Sequence, residues 1–184
     1  RKSLLQAAAV LGKVFWAGAL AVMGERDPSE VEQALHELAR KELVRSSRSS
    51  SMEGEAEYGF WHALVRDVCY GQIPRAGRAE RHQQAAAWIE HKAGERAEDL
   101  ADVLAYHYLT ALELGEAAGQ AADPQLQAQA IRYLGLAGER ALGLDTDRAE
   151  QNLTRALDLN AADDPQRAVL LERWAQAARQ QNRL

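Results

Sequence analysis

The sequence predicts a mainly α protein in which short helices surround one β-hairpin and antiparallel helical pairs follow. Three observations carry that prediction. Apolar residues recur at three- and four-residue spacing over most of the 184 residues, and alanine, the best helix former, is abundant. Strand-like runs are confined to Leu43-Val44-Arg45 and to residues 56–61, separated by a serine-rich stretch. From Pro74 onward the strand signal stops, and helical segments succeed one another across short turns.

Taken in order, Leu4, Leu5, Ala8 and Leu11 make a first short helix ending near Gly12, and Phe15, Ala19, Leu20 and Met23 a second ending near Gly24. A third begins where Asp27 can cap, Pro28 suits the first helical position and Glu30 stands at the capping-box site. Its buried face reads Val31, Ala34, Leu35 and Leu38. The polar loop 46–54 then joins the two strands, its serines matching either a mobile hairpin tip or a phosphorylation segment. Three helices followed by a hairpin is a winged-helix order. After it, residues 62–70 form a helix with Leu64, Val65, Val68 and Cys69 apolar, closed by Gly71 and Pro74.

The remaining helices are expected over 75–92, 97–115, 124–142, 147–159 and 165–181, the third and fifth opened by Asp123-Pro124 and Asp164-Pro165. A fixed period emerges among them. Tyr133, Leu136, Ala137, Ala149, Leu153 and Ala156 stand at the spacing of a tetratricopeptide repeat, and Leu171, Trp174, Ala175 and Ala178 repeat the first-helix pattern one unit later. Small residues at 137, 149 and 156 let two helices approach closely. Ala161 and Arg140 stand where this repeat usually has proline and tyrosine, so the array is degenerate. The preceding helix carries Leu100, Val103, Leu104, His107, Tyr108 and Leu112 and reads as a cap or a divergent repeat. The chain thus divides into a winged-helix domain over 1–73 and a tetratricopeptide-like superhelix over 74–184, whose last edge is expected to be open. It begins Arg1-Lys2-Ser3-Leu4 and ends in a helical pattern at Arg183-Leu184, which reads as a piece of a longer protein.

Composition narrows the function. With 47 % apolar and 27 % charged residues the chain can bury a core, and its single cysteine, Cys69, excludes an internal disulfide. A reducing, cytoplasmic setting is therefore expected, with no membrane partner, since no apolar run approaches the ~20 residues of a membrane span. The net charge of −5 is uneven: residues 1–95 carry 13 basic and 13 acidic side chains, residues 96–184 carry 9 and 14. Neither half offers the basic face that nucleic acid requires.

Catalytic motifs are sparse. The five histidines include no i, i+4 pair and no neighbouring cysteine pair, so no metal site is expected. Neither a Walker-type phosphate loop nor Gly-x-Ser-x-Gly occurs, which predicts a chain that is not an enzyme by itself. Carboxylates at Glu98, Asp99, Asp102, Asp163 and Asp164 stand at helix starts, where they complement free amides and the helix dipole. The alternative of a DNA-binding winged-helix regulator with a helical dimerisation or effector domain meets a third helix rich in Glu30, Glu32, Glu37 and Glu42. Arg75, Arg78 and Arg81 form the best basic patch, open to a partner or to solvent.

One motif carries more information. The run Trp61-His62-Ala63-Leu64-Val65-Arg66-Asp67 resembles the Met-His-Asp junction of nucleotide-binding receptors, and Phe60 to Pro74 with Leu5 to Gly18 resembles the region after the ATPase core in signal-transduction ATPases with numerous domains. Many of these are large bacterial regulators fused to nucleotide-cyclase or transcription-regulator output domains. The resemblance implies that the winged helix folds onto an upstream ATPase domain in cis, with His62 touching the β-phosphate of ADP. The alternative for His62 is a cap or packing residue at the junction. Ala63 departs from the aspartate of the motif. ATP or ADP is implied for the parent protein and no cofactor for this chain, while the helical array is expected to hold a protein or peptide partner.

Overall fold

The computed structural model describes residues 1–181 and is mainly helical with one small antiparallel sheet. Arg183 and Leu184, where the helical pattern is expected to continue, lie outside the described residues. The first unit runs α1 (Lys2–Leu11), β1 (Val14–Trp16), α2 (Ala17–Met23), α3 (Pro28–Arg40), β2 (Val44–Ser46) and β3 (Glu57–Phe60). Strand order is β1-β3-β2, with Phe15 opposite Tyr58 and Val44 opposite Phe60. Three helices followed by a hairpin is the winged-helix order expected from the sequence, and β1 between α1 and α2 adds a strand to it.

One expectation is corrected here. Phe15 belongs to a third strand, not to the second helix, which starts only at Ala17. Val14-Phe15-Trp16 is a β-branched and aromatic run too short to show a period, and Gly12 before it, at φ 130°, ends the helical path. Phe15 is fully buried, its ring 5.3 Å from Phe60 and 6.2 Å from Tyr58. With Val10, Leu20, Val31, Leu35 and Val44 it forms the core of this unit.

Helix α3 starts where Asp27 accepts from the backbone N–H of Ser29 at 2.8 Å, with Pro28 at the first helical position. It ends in a Schellman turn: Leu43 N donates to Leu38 O, Glu42 N donates to Ala39 O, and Glu42 sits left-handed at φ 56°. That turn aims the chain into β2.

The second unit follows α4 (Ala63–Gly71) and consists of α5 (Arg75–Ala93), a 3₁₀ turn over Gly94–Leu100, α6 (Ala101–Ala117), α7 (Pro124–Ala141), α8 (Thr146–Leu159) and α9 (Arg167–Gln181). Each helix from α5 onward packs on the next in sequence, the arrangement of a stacked array. Tyr133, Ala137, Ala149, Leu153 and Ala156 are all buried, Tyr133 reaching toward α5 and α6. At Gly138 a Cβ would fall 2.6 Å from Leu153 Cγ, so this close helix approach requires glycine.

The last helix is also corrected. Asp164 still caps, accepting from Gln166 N at 2.8 Å, yet Asp164-Pro165 opens a turn and α9 starts at Arg167. Leu170 and Ala177 are buried while Leu171 is 45 % exposed, one residue out of the expected register. The Trp174 indole donates to Thr154 Oγ1 at 3.1 Å, joining α9 to α8.

The units are tied along α5, against which α1 and α2 both pack. Trp16 stacks on Trp88 at 5.7 Å, and Lys92 pairs at 2.6 Å with Glu55, which also accepts from Gly18 N at 3.1 Å. Among the described residues, no helix is long and apolar enough to cross a membrane.

Candidate functional site

His62 stands at the N-cap of α4, where the extended backbone of the hairpin turns helical (φ −126°, ψ 133°). Its ring makes no capping bond and is exposed. The apolar set expected to bury α4 divides in two. Val65 and Cys69 turn inward and are half-buried, whereas Leu64 and Val68 are 73 % and 50 % exposed, and Trp61 is 49 % exposed. Leu64 and Val68, four apart on α4, share one side of the helix, and the exposed Trp61 precedes its N-cap. Burial pushes the Cys69 thiol up, away from a reactive thiolate.

The structure separates the three arginines of α5. Arg78 turns back to donate to Gly71 O at 2.9 Å, with its guanidinium 4.6 Å from the centre of the Tyr70 ring. Arg81 is half-buried and Arg75 is exposed. A spacing of three drifts about 60° per step round a helix of 3.6 residues per turn, which is why the trio does not present one face. On α3, Glu30, Glu32 and Arg40 are exposed, and Glu37 pairs with Arg1.

Two polar networks sit where α4, α5, α6 and α7 meet, and neither was visible as a motif. In the first, His82 and His107, wholly buried on α5 and α6, approach Nδ1 to Nδ1 at 2.9 Å, and the Tyr70 hydroxyl lies 2.9 Å from His82 Nε2. Tyr106 packs edge-on against both imidazoles. Burial, reinforced by Arg66 and Arg78, lowers His82 to about 4; burial with the neighbouring His82 lowers His107 to about 3. Both rings are therefore neutral, so one donates and the other accepts.

In the second network, Glu90 of α5 accepts from the Tyr108 hydroxyl at 2.5 Å and from the Tyr133 hydroxyl at 2.8 Å, one on each carboxylate oxygen. The two phenol rings stack at 5.7 Å. Burial and the bond to Glu90 raise both hydroxyls, Tyr133 to about 12, so both remain donors at neutral pH. Arg132 Nη1 approaches Glu90 at 3.7 Å, and its Nη2 approaches Glu98 at 3.9 Å.

Sequence spacing could not find these groupings, because 25 residues separate His82 from His107 and 43 separate Glu90 from Tyr133. The one available signal was that His107, Tyr108 and Tyr133 fall on helix faces expected to be buried. The acidic residues of helix starts bond outward: Asp99 to Arg140 at 3.3 Å and Asp102 to Arg148 at 3.0 Å. Among the described residues, no group of three or more histidine, cysteine or acidic side chains could hold a metal ion.

Comparison with known proteins returns no match: no family model fits the chain, and no curated protein or solved structure matches it.

Proposed function

We propose that this chain is a non-catalytic regulatory and protein-interaction module of a larger signalling ATPase. Its winged helix docks on an ATPase domain in cis, and its helical array holds a protein partner. The observation that supports docking is the face at the start of α4. Leu64 and Val68 share an exposed side of α4, and the exposed Trp61 and His62 stand just before it. Single exposed apolar residues are ordinary on protein surfaces, whereas contiguous ones mark a contact.

Docked there, His62 is held rigidly at a strand-to-helix turn, and a ring N–H donates to the β-phosphate of bound ADP. The test is calorimetric titration of ADP into the full-length protein and its His62→Ala variant. Affinity falls roughly tenfold in the variant, as expected for the loss of one charge-assisted hydrogen bond. Equal affinities would remove His62 from the nucleotide site.

A further inference from the structure

Where the winged helix meets the first array helix lies a cavity whose charged lining is all of one sign. It measures about 230 Å³ and is walled by Ser3 and Leu4 of α1, Leu20 of α2, Arg26 of the turn after α2, and Arg81 of α5. Apart from Ser3, Arg26 and Arg81 its lining is apolar or glycine, and among the described residues no carboxylate and no residue of α4 contributes to it.

Both guanidiniums are held in place. Helix α2 ends in a turn in which Arg26 N donates to Ala21 O at 2.9 Å and Glu25 N to Val22 O at 3.2 Å, with Glu25 left-handed at φ 49°. Arg26 then lies back over Gly24, where a Cβ would fall 3.3 Å from its Cδ and Nε, and its Nη2 donates to Ser3 Oγ at 2.7 Å. Arg81 lies back over Gly77, one turn earlier on α5, its Nη1 reaching Gly77 O at only 3.5 Å.

Each arginine is half-buried, and among the described residues neither forms an ion pair. Glu25 and Glu80, their acidic neighbours in sequence, do not line the cavity, and Glu37 is taken by Arg1. Two guanidiniums thus share one cavity with their charge uncompensated and most of their N–H groups free to donate. Ser3 Oγ accepts from Arg26, which leaves its own O–H to donate as well.

This donor set selects its ligand by charge and by oxygen count. A guanidinium offers a fork of parallel N–H groups to two oxygens of an anion, so two forks call for three or more oxygens and more than one charge. A phosphate monoester supplies three acceptor oxygens and a charge of about −1.5 to −2 at pH 7. A carboxylate, or the phosphate diester of a nucleic acid, supplies two free oxygens and a single charge. The volume falls below the ~300 Å³ at which sites for drug-sized ligands begin, so a small head group fills it.

We infer that this cavity binds the phosphate of a small phosphomonoester or free inorganic phosphate, with Arg26 and Arg81 as its two forks and the Ser3 hydroxyl as a further donor. The bound anion bridges the winged helix, through Arg26, and the array, through Arg81, at a place separate from His62. It does not depend on the docking of α4.

The test is calorimetric titration of the chain with inorganic phosphate, glycerol phosphate, dimethyl phosphate and acetate. Phosphate or glycerol phosphate binds roughly tenfold or more tightly than the diester and the carboxylate, and Arg26→Gln and Arg81→Gln each weaken that binding roughly tenfold or more, as expected for the loss of one charge-assisted contact. Tighter glycerol phosphate assigns a small monoester as the ligand, and tighter inorganic phosphate assigns the free ion. Arg81→Lys keeps the charge without the fork and falls between the unaltered chain and Arg81→Gln, while an unchanged melting temperature without ligand shows that each variant folds. Binding that survives both glutamine variants overturns the site. Acetate or dimethyl phosphate binding as tightly as phosphate overturns the selection of a doubly charged group. No binding at millimolar phosphate or glycerol phosphate overturns the inference as a whole, and leaves the docking of α4 and the role of His62 standing.

Discussion

The two halves of this molecule break the usual rule of burial in opposite directions. At the end of the winged helix, α4 turns Leu64 and Val68 into solvent and buries none of its residues fully. In the array, α5, α6 and α7 draw histidines, tyrosines and a carboxylate inward and bond them to one another. An exposed apolar side chain costs little in folding, whereas a buried polar group destabilises the fold unless its bonds are made. The first half thus leaves apolar side chains uncovered, and the second bonds its helices to one another through buried polar groups.

Three perturbations separate the halves, from the largest effect to the smallest. Leu153→Ala empties a fully buried position against Gly138 and is expected to destabilise the fold by about 2–5 kcal/mol, read from denaturant unfolding. A loss under 1 kcal/mol would mean that the α7–α8 contact relaxes freely and that the array is not close-packed.

Lowering the pH strikes the array next. His82 and His107 titrate near 4 and 3 in the fold and near 6.5 when unfolded, so the unfolded chain gains protons that the fold refuses. Stability is complete above about pH 6.5 and falls as pH drops toward 4, by a few kcal/mol over the window. The urea midpoint should fall between pH 7 and pH 5, before most carboxylates titrate; a level midpoint would show that the pair carries a proton in the fold.

The smallest effect belongs to the winged helix. Leu64→Ser replaces a side chain that is 73 % exposed, and stability should change by no more than about 0.5 kcal/mol in the same unfolding assay. A larger loss would mean that the stripe packs inside this chain, and the contrast between the halves would disappear.

Much of this architecture is legible in periodicity. Asp27-Pro28 starts α3, Asp123 caps α7 by accepting from Gln125 and Leu126, and the buried positions 133, 137, 149, 153 and 156 of the α7–α8 pair follow from spacing alone. What spacing could not supply falls into two kinds. Short elements escape it: Val14–Trp16 spans three residues, less than a helical turn and barely one strand repeat. Non-local groupings escape it as well, because His82 meets His107 only once α5 and α6 stack. The register of α9 depends likewise on how Leu170 and Ala177 pack against neighbouring helices. His62 was legible as a junction residue, but the apolar stripe beside it was not, since an amphipathic pattern gives the apolar face without saying whether anything covers it.

The chain of rings from Tyr70 through His82 to His107 also gives α4 a mechanical property. Tyr70 is the one of these rings that rides on α4, while both imidazoles belong to the array. Lifting α4 away from α5 strips His82 Nε2 of its partner inside a dry interior, at roughly 1–3 kcal/mol. The ring chain thus ties α4 to the array, beside the bonds of Arg66 to Ala9 O and of Arg78 to Gly71 O.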